Sequence, residues 1–183
     1  MVVGNQGETK TCYLKAVRLI KSGGFSDAIA ELIKCTDLDP NNDERFAAQC
    51  LAAYEAELYD STFEIAMDQL WKLSCGSAFK RALALDCCRQ GLSAEAIVYA
   101  LESVFLDPED ALSIYVLGLS YMAAKNYSFA ESCFRRVLKS DPDFIIARSK
   151  LELATDMLAH CSSTCMPEDR AGSPTLDQRR AEG

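Results

Sequence analysis

Three of the five prolines stand on a common ruler. Pro108 and Pro142 are 34 residues apart, and Pro40 lies two such intervals before Pro108; the empty tick falls at Ser74. A period near 34 is that of a stacked helix–turn–helix unit. One such unit cannot bury its apolar face alone, so the chain must fold as a stack. Stacks of this kind present extended surfaces and usually no catalytic cavity.

Blocks cut at this interval run 9–42, 43–76, 77–110 and 111–144. The fourth reads Ile114-x-x-Leu117-Gly118-x-x-Tyr121, then Ala130-x-x-x-Phe134, then Pro142. This resembles the tetratricopeptide-repeat family, whose pattern is W-x2-L-G-x2-Y, A-x3-F, P; Ile114 replaces the leading Trp. The resemblance implies an all-α, right-handed α-solenoid of four helix pairs with a C-terminal capping helix.

The physics of each column agrees. Ala16, Cys50, Ala84 and Gly118 supply a small residue on each first helix, and Ala28, Thr62, Ala96 and Ala130 one on each second helix. Small side chains there let paired helices approach. Phe25, Tyr59 and Tyr127 wedge the turns, and Gly23, Gly24 and Gly91 provide positive φ cheaply. Asp39-Pro40, Asp107-Pro108 and Asp141-Pro142 end the second helices, because proline disfavours α conformation before it. The second block is degenerate, and Trp71 is expected to pack between repeats.

After Pro142 one more helix is expected over 144–160, with Ala147, Leu151, Ala154 and Leu158 on one face. Glu152 occupies the small-residue column, so no second helix is expected upon it. Residues 9–161 form the expected repeat domain; 1–8 and the polar stretch 162–183 are expected to be disordered.

Charge narrows the partners. The chain carries 19 Lys plus Arg against 27 Asp plus Glu, net −8. That disfavours nucleic acid and anionic membrane surfaces, which need clustered cations. No apolar run approaches the roughly 18 to 20 residues of a membrane span. Met1–Glu8 has neither a basic region nor an apolar stretch, so a secretory leader is not expected. The nine cysteines then read as reduced thiols in a cytoplasmic protein.

Catalysis and cofactors are not expected. The sole histidine, His160, sits at a helix end, where the dipole favours it. His160, Cys161 and Cys165 suit zinc chemically but lack a fourth ligand, so no metal residue is assigned. Cys50, Cys87, Cys12, Cys35 and Cys133 fall at apolar-facing positions, and Cys75 is the exposed thiol expected outside the tail.

In the family the first helices line a concave face. The resemblance implies a central column of Val17, Leu51, Leu85 and Leu119, flanked by Tyr54 and Met122 on one side and by Tyr13, Arg81 and Tyr115 on the other. An apolar column facing a groove would mark an interaction site; the same residues buried between first helices would be core. The groove reading makes these nine residues the candidate partner-binding set. Chaperone-adaptor members grip a terminal carboxylate with Lys, Asn and Arg. Here the matching positions are Tyr13, Val17, Ala48, Ala78 and Ala82, and such a grip needs cations. The expected function is a non-enzymatic adaptor or complex subunit holding an apolar or amphipathic segment of a protein or peptide. Alternatives are a co-chaperone-like adaptor with an atypical grip, a zinc- or redox-responsive module through the tail cysteines, and self-association.

Overall fold

The structure, a computed structural model, describes residues 6–35, 42–58, 61–73 and 76–164. They form helices only. The first pair is α1 (Gln6–Ser22) and α2 (Phe25–Lys34); the second is α3 (Asp43–Glu55) and α4 (Ser61–Leu73). α5 (Ser77–Gln90) and α6 (Ser93–Leu106) follow, then α7 (Ala111–Ala123) and α8 (Tyr127–Ser140), and a single long helix, α9 (Ile145–Thr164). α1 starts inside the stretch expected to be disordered, its first turn tied by Thr11 Oγ1 donating to the Gly7 carbonyl at 2.8 Å. α9 runs past the expected end at 160.

Each hairpin turns through the same hook. Gly23, Glu57, Gly91 and Lys125 all have positive φ and stand at the repeat interval. In the first turn Gly24 N donates to Leu19 O and Gly23 N to Ile20 O; in the last, Asn126 N donates to Tyr121 O and Lys125 N to Met122 O. These paired bonds satisfy the orphan carbonyls of the first helix and fix the direction of the second. The second helices end alike too. Asp107 and Asp141 adopt extended backbone, φ −139° ψ 89° and φ −140° ψ 88°, as the following prolines require. The first Asp-Pro step, with Tyr59 and Cys75, lies outside the described residues.

Within a pair, the helices cross at the small-residue columns. Ala16, Cys50, Ala84, Ala28, Ala96 and Ala130 are fully buried. At Gly118 the approach is so close that a Cβ there would stand 2.5 Å from Phe134 Cε1. Along the stack, α3, α5 and α7 pack side by side. The junction from α4 to α5 is thin. Trp71 consequently does not fill an inter-repeat core: it is 65% exposed, with only an edge-on contact to Phe79 at 4.8 Å between centroids.

α9 packs along α8 and reaches back to α1. Lys21 pairs with Asp141 and stands 5.4 Å above the Phe144 ring. Lys150 meets Glu55 at 3.0 Å. Ala147 and Ala154 are buried, and Glu152 is exposed.

Lys125 holds a left-handed conformation that costs an L-residue about 1 kcal/mol relative to glycine. Lys125→Gly should raise the unfolding free energy by about 0.5–1 kcal/mol in urea denaturation. An unchanged or lower value would show that this hook carries no strain.

Candidate functional site: the inner face of the first helices

Five of the nine expected groove residues do not face an open hollow. Leu51, Leu85, Tyr115 and Arg81 are fully buried and Leu119 nearly so. The first helices lie close enough for their side chains to interdigitate, which turns the central aliphatic column into core. Tyr13, Val17, Tyr54 and Met122 remain half-buried, with part of their surface accessible.

Arg81 anchors the inner face. Its Nη2 meets Glu44 Oε2 of α3 at 2.5 Å, and its Nη1 pairs with Asp110 at the start of α7. Nη1 also stands 3.3 Å from Ser113 Oγ. One guanidinium on α5 thus ties three first helices. Burial disfavours its charge, but Asp110 and Glu44 outweigh that and hold the proton more tightly than usual. Tyr13 adds α1, donating its hydroxyl to Glu44 Oε2 at 3.4 Å. Burial raises the Tyr13 hydroxyl well above its ordinary value.

Asp110 also caps α7, accepting from Leu112 N at 3.1 Å and from Ser113 N at 3.0 Å. Burial pushes its carboxyl up; the Arg81 charge and the bonds from Ser113 and Leu112 win, and its pKa falls below the ordinary value. A second knot joins Tyr115, whose hydroxyl donates to Glu55 Oε1 at 2.8 Å, to Lys150 through the same carboxylate. Burial, then Glu55, raises the Tyr115 hydroxyl. Sequence reading placed Arg81 and Tyr115 on this face but missed their partners. Glu44, Glu55 and Asp110 pair with residues 29 to 60 positions away, beyond the reach of periodicity.

Along the accessible rim, Tyr54, Cys88 and Met122 occupy one repeat column across α3, α5 and α7. Cys88 Sγ stands 3.7 Å from Ser120 Oγ. Burial pushes the Cys88 and Cys133 thiols up to about 11 and the Cys35 thiol to about 12, so these sulfurs stay protonated. Cys50 is fully buried, and Cys35 and Cys87 are buried too. No group of three metal-ligating side chains gathers among the described residues. Cys161 is exposed, and Cys165 lies outside the described residues.

Helix pairs hooked by a common turn and stacked through their first helices define a helical-repeat interaction module. The family described as tetratricopeptide repeat matches residues 111–144, so the α7–α8 pair carries a tetratricopeptide repeat. Among solved structures, the chain is similar to MamA 41-end from Desulfovibrio magneticus RS-1. The identity is 17%, over 88% of this chain and 97% of that chain, with a TM-score of 0.42. No curated protein matches. Repeats of this class are generally non-enzymatic interaction modules, and no described helix is long and apolar enough to cross a membrane.

Two outcomes test the inner face. Leu85→Glu should cost about 3 kcal/mol or more, because it buries a carboxylate in the packed column; circular dichroism and thermal melting read the loss. A folded Leu85→Glu protein would return Leu85 to the surface. The second outcome concerns acid. The Asp110 carboxyl is lowered in the folded state, so its contribution is complete above its ordinary value of 3.8 and is lost as pH falls through the lower folded value. Urea midpoints between about pH 5 and about pH 2 should therefore fall more steeply for the wild type than for Asp110→Asn. Equal slopes would uncouple Asp110 from folding.

Proposed function

We propose that the protein is a protein–protein adaptor that holds an apolar or amphipathic helical segment against the accessible rim of its first helices. The observation that carries this reading is the column of Tyr54, Cys88 and Met122, which keeps partial exposure after α3, α5 and α7 have packed. On α1 the same column falls at Ile20, which is fully buried; Val17 and Tyr13, in the neighbouring columns, supply the half-buried surface there. These side chains present aromatic, thioether and branched aliphatic surface on a rigid helical support. That is what a helix laid in a groove needs, since its i, i+3, i+4 and i+7 residues seek apolar seats. Met122 and Cys88 are soft, and Met adapts to irregular partners. The buried Leu51, Leu85, Leu119, Arg81 and Tyr115 set the spacing of these seats and take no direct part.

A displayed library of 20-residue amphipathic peptides provides the probe. Selected peptides should shift the methyl resonances of Val17 and Met122, and Val17→Glu with Met122→Glu should abolish their binding while leaving the helical signal intact. Peptides that bind both variants as tightly as the wild type would sink the rim as the partner seat.

A further inference from the structure

The outer face of α6 carries apolar surface that the repeat does not explain. In a stack of this kind the second helices turn their outer faces to water. Those of α2 and α8 each expose one large apolar side chain, Ile33 and Phe129, and that of α4 exposes two, Ile65 and Trp71. α6 exposes Val98, Leu101, Phe105 and Leu106. Phe105 alone is 84% accessible. The inner face of the same helix is already spent on Ala96, Ala100 and Ser103, all fully buried.

The spacing of the outer residues is specific. Ala94, Val98, Leu101 and Phe105 follow one another at steps of four, three and four, and all four are exposed. That is the step pattern of the seam along which two helices pack knobs into holes. Beside the seam lies a hollow of about 690 Å³ lined by Lys80, Leu101, Glu102, Val104, Phe105 and Leu106.

We infer that this seam pairs with the α6 seam of a second copy of the chain, the two helices antiparallel about a two-fold axis. The seam is graded in size, from Ala94 at one end to Phe105 at the other. Reversed upon itself, it sets each Phe105 over the other copy's Ala94 and each Leu101 against the other copy's Val98. Large then meets small, as interdigitating layers demand. A parallel pairing would stack Phe105 on Phe105 and leave a void at Ala94. Two carboxylates flank the seam seven residues apart: Glu102 is answered by Lys80 at 2.6 Å, and Glu95 is exposed. At a net charge of −8 electrostatics oppose the pairing, and the fit of sizes carries it. A seam of one helix per copy is a small contact, so the association is weak and concentration-dependent.

Sedimentation velocity on the full chain, from about 1 to about 200 µM, reads the association. The mass should rise from 20.1 kDa to twice that value. Phe105→Ala should weaken the dimer by roughly 30-fold or more, with circular dichroism unchanged because the residue is exposed. The decisive variant is Ala94→Phe with Phe105→Ala, which reverses the grading on both copies at once and should restore the dimer. A different partner would not follow that exchange. A wild type that stays at 20.1 kDa throughout, a dimer indifferent to Phe105→Ala, or a double variant that fails to recover would each overturn the inference. Val17→Glu should leave the dimer intact, since the rim of the first helices lies on a separate face.

Discussion

Every level of this structure depends on how closely the two helices of a pair can approach. The gap is set where a small residue on one helix meets the body of the other. Gly118 is the limiting case, because the Phe134 ring lies where its Cβ would be. That ring is fully buried and sits 5.6 Å from the Tyr115 ring, which in turn stacks on Phe144 at 5.1 Å. A single missing methyl group thereby seats an aromatic row in which Tyr115 of α7 lies between Phe134 of α8 and Phe144, just before α9. Widening the pair would part Phe134 from Tyr115, the ring on which Phe144 stacks. The left-handed hook enforces the same gap from the turn, because its two backbone bonds allow the second helix one direction of departure.

Much of this was legible in the residues. The repeat interval located the helix pairs, the small-residue columns from Ala16 to Ala130 that are buried, and the Asp107-Pro108 and Asp141-Pro142 endings, because each is a local demand met by a residue type at fixed spacing. What spacing could not reveal was how far apart successive first helices lie. Val17, Leu51, Leu85 and Leu119 share one column, yet Leu51 and Leu85 are sealed while Val17 keeps exposed surface. Leu51 and Leu85 lie on α3 and α5, which pack closely on one another, whereas α1 touches α3 only lightly. The ties of Glu44, Asp110 and Glu55 were invisible for a related reason: a carboxylate on a helix reads as a solvated residue until the helix facing it is known. Trp71 does reach Phe79 of α5, as an inter-repeat residue would, but the thin α4–α5 junction leaves it 65% exposed where the general habit of tryptophan assumes burial. The outer stripe of α6 did leave a signal. Its segment Ser93–Leu106 is apolar on both faces, more than a helix with one buried face requires.

The ion cluster at Arg81 answers a need that apolar packing does not meet. Desolvating a guanidinium and the carboxylates about it costs more than packing a methionine of similar volume would, and Arg81 Nε has no hydrogen-bond partner among the described residues. What the cluster adds is register. Apolar side chains of α3, α5 and α7 would tolerate small slides along one another, since dispersion and area burial are non-directional. A guanidinium in hydrogen-bonding reach of Glu44, Asp110 and Ser113 accepts one alignment of the three helices. That alignment matters most between the second and third pairs, where α4 touches α5 only lightly. With the usual outer contact thin, the α3–α5–α7 row is the continuous support across that junction, and Arg81 fastens it from within. The divergence of the second repeat is tolerable for this reason: the stack crosses its weakest outer junction on its most directional inner contact.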